Sequence, residues 1–344
     1  MISIAGYDLL NDGKDGIRYA WRFANEAPYI ESAAFVNNSK ATKSDICGYT
    51  TSVSAGCILR DKGLACKFCR TGQTLPFTGF LSEYDIAKQN VFMVLTDMCC
   101  DDHPELRTKQ REFAYMGQGE PGFSYLQVRT AIEITNSVMR ELGQKVYRHI
   151  FATCGIPTAI QKYSKDIQHF FTERVTLHFS LHATKQRETV MPIDRIFPYN
   201  ESLSEISKIG DISNEKPCIG ILLFNNFHPK GSNTVYSNSL EEVLSIIEEL
   251  DSEKVRISLC EFNASPEVGD TSDYPVEEAR KILESVRCCG FEAKLFSSFG
   301  QRELTACGLL GGKEPSRCAS KKWIELDALA NKLVEKHALL IRQE

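Results

Sequence analysis

The sequence has 344 residues, of which 42% are hydrophobic and 25% are charged, a composition typical of a soluble globular protein. The formal net charge of −5 excludes an overall basic surface for nucleic acids, although a local basic groove could still lie on an acidic protein. The apolar runs are too short to cross a bilayer, and the first residues lack the features of a signal peptide. We therefore expect a cytoplasmic protein whose thirteen cysteines are reduced thiols, suited to ligand or catalytic roles.

Strand-like and helix-like stretches alternate along the chain after residue 45. Strands are predicted at 48–55, 112–117, 148–155, 175–182, 218–226, 255–262 and 292–299. Helices are predicted at 81–100, 124–143, 157–164, 202–210, 239–251 and 276–289. This alternation, with nearly continuous apolar strands, predicts an α/β protein with a parallel sheet. Seven strands predict a partial or near-complete β/α barrel.

The two ends of the chain differ from this alternating core. Residues 1–45 are predicted to form a small N-terminal extension, and residues 46–312 the barrel core. Residues 313–344 are predicted to form a C-terminal part with one helix at 320–342. We find no internal repeat, low-complexity tract or charge block that would mark a linker.

Five motifs follow predicted strands at the point where each strand ends. They are the cysteine-containing loop after the first strand, GQGEP (117–121), TCG (153–155), SLHA (180–183) and EFN (261–263). In β/α barrels the chemistry lies at the carboxyl ends of the strands. The sequence therefore predicts one functional site along this edge.

Three cysteines of the first loop, Cys57, Cys66 and Cys69, are spaced closely enough to bind metal. With Cys47 as a fourth ligand they would suit a structural zinc ion, which takes four ligands in a tetrahedron. Without it they would suit a [4Fe–4S] cluster with one iron left open for a substrate or cofactor. The predicted position at a barrel edge argues against a purely structural role, but the three cysteines alone leave both alternatives open.

The ordered motifs resemble the radical S-adenosylmethionine (SAM) superfamily and, within it, the RlmN/Cfr methyl synthases of RNA adenosines. Matching segments run from about residue 48 to 312, which is most of the chain. They are CKFCRTG (66–72), MGQGEP (116–121), ATCG (152–155), SLHATKQRETVMPID (180–194), EFNAS (261–265) and ACGLLGG (306–312). The family has MGMGEP where this chain has MGQGEP, and a serine where this chain has Cys154.

The resemblance implies a role for each matching residue. Cys57, Cys66 and Cys69 would ligate a [4Fe–4S] cluster, with SAM on the fourth iron. The residues implied in cofactor binding are Phe68, Gly119, Glu120, Pro121, Thr153, Ser180, His182 and Asn263. Cys307 would receive a methyl group from one SAM and later deliver it as a methylene, because a radical on S-methylcysteine can add to an adenine carbon that polar methyl transfer cannot reach. A flavodoxin- or ferredoxin-type reductant would supply the electron.

The chain departs from that family at three points. The first gap between cluster cysteines is eight residues instead of three, because ILRDKGLA is inserted. Thr50 stands where the family has a second cysteine that resolves the crosslinked intermediate, so we assign that catalytic role to Cys47, on condition that the strand bulges. The roughly 45 residues before the core replace a longer RNA-gripping domain.

These observations predict a radical SAM enzyme that transfers a methyl or methylene group to an unreactive carbon through Cys307, with RNA adenosine as the first-choice substrate. No DNA and no membrane partner are expected. The acidic balance favours an alternative, a radical SAM enzyme acting on a small molecule or peptide. A zinc-stabilised RNA- or protein-binding module is the alternative outside the enzyme class. Cys154 is predicted to be a small residue beneath the site. The lysine and arginine residues of HATKQRE (182–188) are predicted to form a solvated turn unless RNA is the substrate.

Overall fold

One large mixed sheet organises the fold. This computed structural model describes residues 1–10, 16–23, 26–35, 45–101, 104–213, 215–262, 265–296 and 309–341. Its strands are β1 (Ser3–Leu10), β2 (Gly16–Phe23), β3 (Glu26–Phe35), β4 (Ile46–Thr50), β5 (Ser54–Ala55), β6 (Gly79–Phe80), β7 (Gln110–Tyr115), β8 (Val146–Thr153), β9 (Val175–Ser180), β10 (Cys218–Leu223), β11 (His228–Pro229), β12 (Arg256–Glu261), β13 (Gly269–Asp270), β14 (Ala293–Phe296) and β15 (Arg317–Cys318).

The helices lie between these strands and at the end of the chain. They are α1 (Ile58–Asp61), α2 (Arg70–Thr74), α3 (Glu83–Met98), α4 (Tyr125–Glu141), α5 (Pro157–His169), α6 (Arg187–Val190), α7 (Tyr199–Ile212), α8 (Leu240–Ile247), α9 (Val276–Cys288) and α10 (Lys321–Ile341). The predicted C-terminal helix is confirmed as α10. No helix within the described ranges combines the length and the apolar character that crossing a membrane requires.

Seven parallel strands make up the centre of the sheet, in the order β4-β7-β8-β9-β10-β12-β14. Each overlaps one of the predicted strands, so the α/β prediction is confirmed. Consecutive strands are neighbours, with helices on the connections, as parallel pairing requires. In the described part of the chain β14 pairs with β12 alone. The parallel strands therefore form an open sheet, which is the partial form of the predicted barrel.

Local signals explain where the main helices begin. Ser82 caps α3 by accepting a hydrogen bond from the backbone N–H of Asp85. Ser239 and Glu242 form a reciprocal capping box at the start of α8. Proline occupies the first turn of α5, where its missing N–H costs nothing. Buried apolar residues of strands such as β10 (CIGILL) then pack beneath these helices.

The N-terminal residues extend the same sheet. Strands β1, β2 and β3 form an antiparallel meander, and β3 pairs with β4 at the edge of the parallel strands. The short strand β15, which follows the ACGLLGG motif, pairs with β1. The predicted boundaries at residues 45 and 312 stay predictions, but both ends of the chain contribute strands to one sheet.

His149 is a fully buried titratable group in the centre of β8. Its Nε2 lies 2.7 Å from Asn136 Oδ1 and its Nδ1 lies 3.0 Å from the hydroxyl of Tyr115. Burial lowers the pKa of His149 from 6.5 to about 3, so the folded protein holds a neutral ring. The unfolded chain takes up a proton near pH 6.5, and stability is therefore lost as the pH falls below that value.

The variant His149→Gln is expected to lose less stability on acidification than the wild type. Below pH 6.5 each such histidine removes about 1.4 kcal/mol of stability per pH unit, and the variant lacks this contribution. The slope of the unfolding free energy between pH 6.5 and 5 measures the difference. The wild type measured under the same conditions supplies the reference slope. Equal slopes for His149→Gln and the wild type would contradict the assignment.

Candidate metal centre at the carboxyl edge of the sheet

The loop that carries the three cysteines follows β4 and is closed at its base. Strands β5 and β6 pair antiparallel across it, so the loop leaves and returns at one place. Cys57 precedes α1, and Cys69 precedes α2. The N–H of Cys69 donates to the carbonyl of Cys66 at 3.2 Å, which makes a tight turn around Phe68. The loop therefore gathers the three thiols beyond the carboxyl end of β4.

The inserted residues between Cys57 and Cys66 form a compact helical turn. After α1 the chain reverses: the N–H of Gly63 donates to the carbonyl of Arg60, and the N–H of Leu64 donates to that of Leu59. The side chains of Leu59 and Leu64 are buried, whereas Arg60 is exposed. The insertion thus returns the chain to Cys66 at a small cost in loop closure.

Cys57 is buried, Cys66 and Cys69 are half-buried, and the three thiols are electrostatically coupled. Burial and the charge of Cys69 raise the pKa of Cys57 to about 12. Burial also raises the pKa of Cys66 and of Cys69, and thiolates at both other cysteines raise that of Cys66 further. Three neighbouring thiolates repel one another unless cations lie between them, and a coordinating metal deprotonates thiols outright. This donor set fits iron.

A single zinc ion fits the same cysteines less well. Zinc needs its ligands about 2.0–2.3 Å from one centre. Across the described residues, no three side chains of His, Cys, Asp or Glu converge closely enough to hold one ion. In an iron–sulfur cluster the cysteines bind different irons and need not converge on a point.

The GQGEP loop lies directly against the stem of the cysteine loop. The N–H of Gln118 donates to Ser52 Oγ at 2.8 Å, and its carbonyl accepts from the N–H of Val53 at 3.0 Å. A side chain at Gly119 would place its Cβ 2.1 Å from Ser54 Oγ, and its φ of +99° is one that favours glycine. Glycine is thus required for the two loops to meet.

Glu120 joins the ends of β7 and β8 at this meeting point. Its side chain is buried and accepts three hydrogen bonds, from Thr153 Oγ1 at 2.6 Å and from the N–H groups of Gly122 at 2.8 Å and Cys154 at 2.9 Å. Its charge raises the pKa of Cys57 and of two other nearby thiols. Pro121 is buried beside it and begins a short 3₁₀ helix. The acid and the cysteine loop therefore lie in one electrostatic neighbourhood.

Arg187 corrects one sequence prediction, because it is buried and does not belong to a solvated turn. Its Nη1 lies 2.6 Å from Asp194 Oδ1. Its other N–H groups donate to the carbonyls of Leu181, Ser180 and Cys154, each at 2.9 Å. Sequence periodicity could not distinguish this arginine from its exposed neighbours, since its partners come from three separate stretches. Arg187 thus binds the ends of β8 and β9 together.

The variant Arg187→Lys is expected to lower the free energy of unfolding by about 3–5 kcal/mol, because a lysine cannot make the four directed bonds and leaves buried acceptors unpaired. Denaturant unfolding of the cluster-loaded protein measures the loss. The control Arg195→Lys, on an exposed arginine eight residues along, should change stability by less than about 0.5 kcal/mol. A loss below about 1 kcal/mol for Arg187→Lys would contradict the account.

His182 and Phe68 pack together between the cysteine loop and β9. Their rings meet edge to face with centroids 4.9 Å apart. Nδ1 of His182 accepts the N–H of Leu222 at 3.1 Å, so a neutral ring carries its proton on Nε2. Burial and the charge of Arg187 lower the pKa of His182 to about 3. His182 is therefore a neutral donor at the site. Ser180 ends β9 nearby and is half-buried.

The glycine-rich end of ACGLLGG lies against the cysteine loop. Arg70 Nη1 donates to the carbonyl of Leu309 at 3.1 Å, and Thr71 Oγ1 donates to that of Leu310 at 2.6 Å. Arg70 and Thr71 directly follow Cys69 in the chain. Two predicted site residues, Cys307 and Asn263, lie outside the described residues. The segment that begins two residues after Cys307 is thus bound beside the last of the three cysteines.

Cys47 lies away from this group. It is buried in β4, whose pairing with β7 runs without a shift from Ile46 to Thr50, so the bulge that the prediction requires is absent from these pairs. Burial and the charge of Asp97, at the carboxyl end of α3, raise the pKa of Cys47 to about 11. Three residues of strand separate it from Thr50, or about 10 Å. The predicted role of Cys47 as the resolving thiol stays a prediction. It would require Cys47 to shift by about 10 Å along the strand, to the place that Thr50 occupies.

The chain is similar in sequence to known proteins, although no protein-family model matches it. The chain is 26% identical over 325 residues to "Dual-specificity RNA methyltransferase RlmN" of Caulobacter vibrioides, an alignment that covers 93% of this chain and 73% of that protein. It is 27% identical over 270 residues to "Probable dual-specificity RNA methyltransferase RlmN" of Petrotoga mobilis, covering 77% and 70%.

Among solved structures, the chain is similar to a radical SAM methyltransferase from Sphaerobacter thermophilus. The TM-score is 0.71 over 91% of this chain and 82% of that one, at 20% sequence identity. At that identity the likeness concerns the fold. The sequence alignment with the Caulobacter vibrioides protein and the structural alignment each cover more than nine-tenths of this chain.

Proposed function

We propose that this chain, a divergent RlmN-like member of the radical SAM proteins, transfers a methyl-derived carbon from SAM to an unreactive carbon of an RNA adenosine. The observation that carries the proposal is the packing of the ACGLLGG segment on the cysteine loop. Arg70 and Thr71, which directly follow Cys69, bind the carbonyls of Leu309 and Leu310, the second and third residues after Cys307. A methyl-accepting thiol and a SAM site must be neighbours in such a reaction.

Cys57, Cys66 and Cys69 would hold the [4Fe–4S] cluster. When bound, the cluster and SAM supply a carbon radical by one-electron cleavage of a C–S bond. The turn that leads from Cys66 to Cys69 places Phe68 against His182, so the loop packs on the residues that follow β9. Cys57 is buried, and Cys66 and Cys69 are half-buried, so solvent and a cofactor can reach this side of the loop.

Glu120 would bind the amino group of SAM. A carboxylate offers about four acceptor sites, and Thr153, Gly122 and Cys154 use three of them. The remaining acceptor would pair with an ammonium, to which a charged hydrogen bond is strong. Gly119 and Pro121 would shape the backbone around it, and Thr153, Ser180, neutral His182 and Asn263 would line the rest of the cofactor.

Cys307 would act as the methyl acceptor. Its thiolate would attack the methyl carbon of one SAM: the new C–S bond forms, the sulfonium C–S bond breaks, and S-adenosylhomocysteine leaves with the electron pair. The thiol proton passes to solvent. Loss of a hydrogen atom from the resulting S-methyl group to a radical would then yield a carbon centre able to add to an aromatic ring carbon.

The RNA substrate rests on the curated relatives, whose names state RNA methyltransferase activity. A second candidate is a small molecule or peptide, which the net charge of −5 favours. A flavodoxin- or ferredoxin-type protein would supply electrons in either case. Both candidates use the same cysteines, so the substrate class must be tested separately from the chemistry.

Anaerobic protein, a reduced flavodoxin and methyl-labelled SAM should be incubated in parallel with total RNA and with an extract of small molecules and peptides. We expect label in adenosine after digestion of the RNA, and none when Cys307→Ala protein is used. Label confined to the small-molecule and peptide fraction would replace the RNA substrate by the second candidate.

A further inference from the structure

A buried charge cluster of the N-terminal strands holds the segment that follows ACGLLGG. Arg18 of β2 lies between Asp8 of β1 and Glu31 of β3, and Arg18 and Glu31 are each 1% exposed. Such a cluster costs desolvation free energy and is a poor source of stability by itself. Its other hydrogen bonds indicate what it does.

Each member of this cluster binds the backbone of the C-terminal segment. Glu31 Oε2 accepts the N–H of Gly312 at 2.7 Å. Arg18 donates to the carbonyls of residues 313 and 314 at 3.0 and 3.2 Å, and Asp8 Oδ1 accepts the N–H of residue 316 at 2.9 Å. The cluster therefore holds the chain at the last glycine of ACGLLGG, five residues after Cys307.

Glu31 also contacts the GQGEP loop. Gln118 Nε2 donates to the same oxygen, Glu31 Oε2, at 3.1 Å and to the carbonyl of Tyr29 at 3.0 Å. The backbone carbonyl of Glu31 accepts from Ser52 Oγ at 2.5 Å, and Ser52 in turn accepts the N–H of Gln118. One carboxylate thus contacts the Cys307-bearing segment and the loop that leads to Glu120.

The residue at 118 supplies the donor of this contact through its side-chain amide. Here Gln118 is fully buried, and its amide is matched to the buried acid. Because a buried amide and a buried carboxylate each need a partner, the two residues must be kept together.

We propose that Glu31 is a positioning residue that holds Gly312, in the segment following Cys307, against the GQGEP loop, to which the proposed function assigns SAM binding. The inference rests on the proposed function. A displacement of about 1 Å of a reacting group can cost on the order of 100-fold in rate. Loosening the link should therefore impair methyl transfer to Cys307 while the cluster and SAM cleavage are kept. The Glu31 carboxylate makes none of its described hydrogen bonds to the three cysteines or to Glu120, and the bond from Ser52 Oγ goes to the backbone carbonyl of Glu31, which the substitution retains.

The test compares Glu31→Gln with a matched variant, Glu133→Gln. Glu133 is also a buried acid with three hydrogen bonds, from Asn136 and Thr172, but it lies on α4 outside the site. For Glu31→Gln we expect unchanged iron content, SAM cleavage within about 2-fold of the wild type, and a 10- to 100-fold slower gain of one methyl group on the Cys307 peptide. Glu133→Gln should methylate at the wild-type rate.

A rescue variant separates positioning from folding. The double variant Glu31→Gln, Gln118→Glu restores an amide–carboxylate pair in the opposite sense and should recover at least about 10-fold of the lost rate, a non-additive result. Equal losses of iron, SAM cleavage and methylation in Glu31→Gln would overturn the inference, as would a wild-type methylation rate. Failure of the wild type itself to methylate Cys307 would overturn the proposed function as well, and this distinguishes the two failures.

Discussion

Changing Cys66 to alanine is expected to abolish iron loading and SAM cleavage together. The three cysteines are the only thiols that the loop offers in its described part, and with one removed the cluster would have two cysteine ligands and no defined open iron. We expect the same result for Cys57→Ala and Cys69→Ala. Iron analysis and the broad visible absorbance of anaerobically purified protein measure the loss, and formation of 5′-deoxyadenosine measures cleavage.

The matched control for this series is Cys218→Ala. Cys218 is a buried cysteine like Cys57, but it belongs to β10 and lies outside the cysteine loop. It should keep full iron content at a modest cost in stability from the lost sulfur, about 1 kcal/mol. A Cys57→Ala protein that retained about four irons and full activity would contradict the assignment of Cys57 as a cluster ligand. Cys47 would then be the candidate for the third ligand.

Changing Cys307 to alanine is expected to leave the cluster intact and to abolish product formation. The thiol is the proposed methyl acceptor, so its loss should lower turnover by a factor on the order of 10³ or more, as loss of other covalent nucleophiles does. The residues that follow it would still be held by Arg70 and Thr71, so folding should be preserved. Iron content, SAM binding and product yield are measured on the same preparation.

Cys318→Ala is the matched control for this variant. Cys318 is exposed on β15 in the same C-terminal segment and should be dispensable. Full activity of the Cys307→Ala protein on its substrate would remove this chain from the methyl-synthase mechanism, whatever the fate of the cluster.

The parallel strands could be predicted because their burial is visible in the sequence. Runs such as CIGILL are apolar on both faces, and a helix-length connection separates each from the next, which leaves few arrangements other than a parallel sheet. The position of the motifs at one edge of the sheet could be predicted for the same reason. Each motif comes at the carboxyl end of a strand, and these ends lie together in a parallel sheet. The cysteine loop and the GQGEP loop, which the sequence assigns to the same edge, are joined by direct hydrogen bonds.

The N-terminal strands could not be predicted in the same way. In β2 (GIRYAWRF) the fully buried Arg18 interrupts the apolar pattern that would signal a core strand. Its burial is supported by Asp8, by Glu31 and by carbonyls near residue 313, and the last of these lie 295 residues away in the chain. A buried arginine cannot be told from a solvated one when its partners are so distant.

The same reason explains the missed role of Arg187 and the missed link through Glu31. The bond between Glu31 and Gly312 spans 281 residues, and neither residue shows an unusual local pattern. For Cys47 the register of β4 decides its position, and the sequence does not show whether a strand is regular or bulged. Cooperative contacts between distant segments therefore lie beyond what a single sequence reveals.

The most direct test of the central claim follows the hydrogens of the transferred group. The protein, a reductant and RNA are incubated with SAM that carries a trideuterated methyl group, and the adenosine product is analysed by mass spectrometry. Delivery as a methylene through Cys307 predicts a methylated adenosine that retains two deuterium atoms. A product that retains all three, or RNA that stays unmodified while SAM is cleaved, would contradict the account.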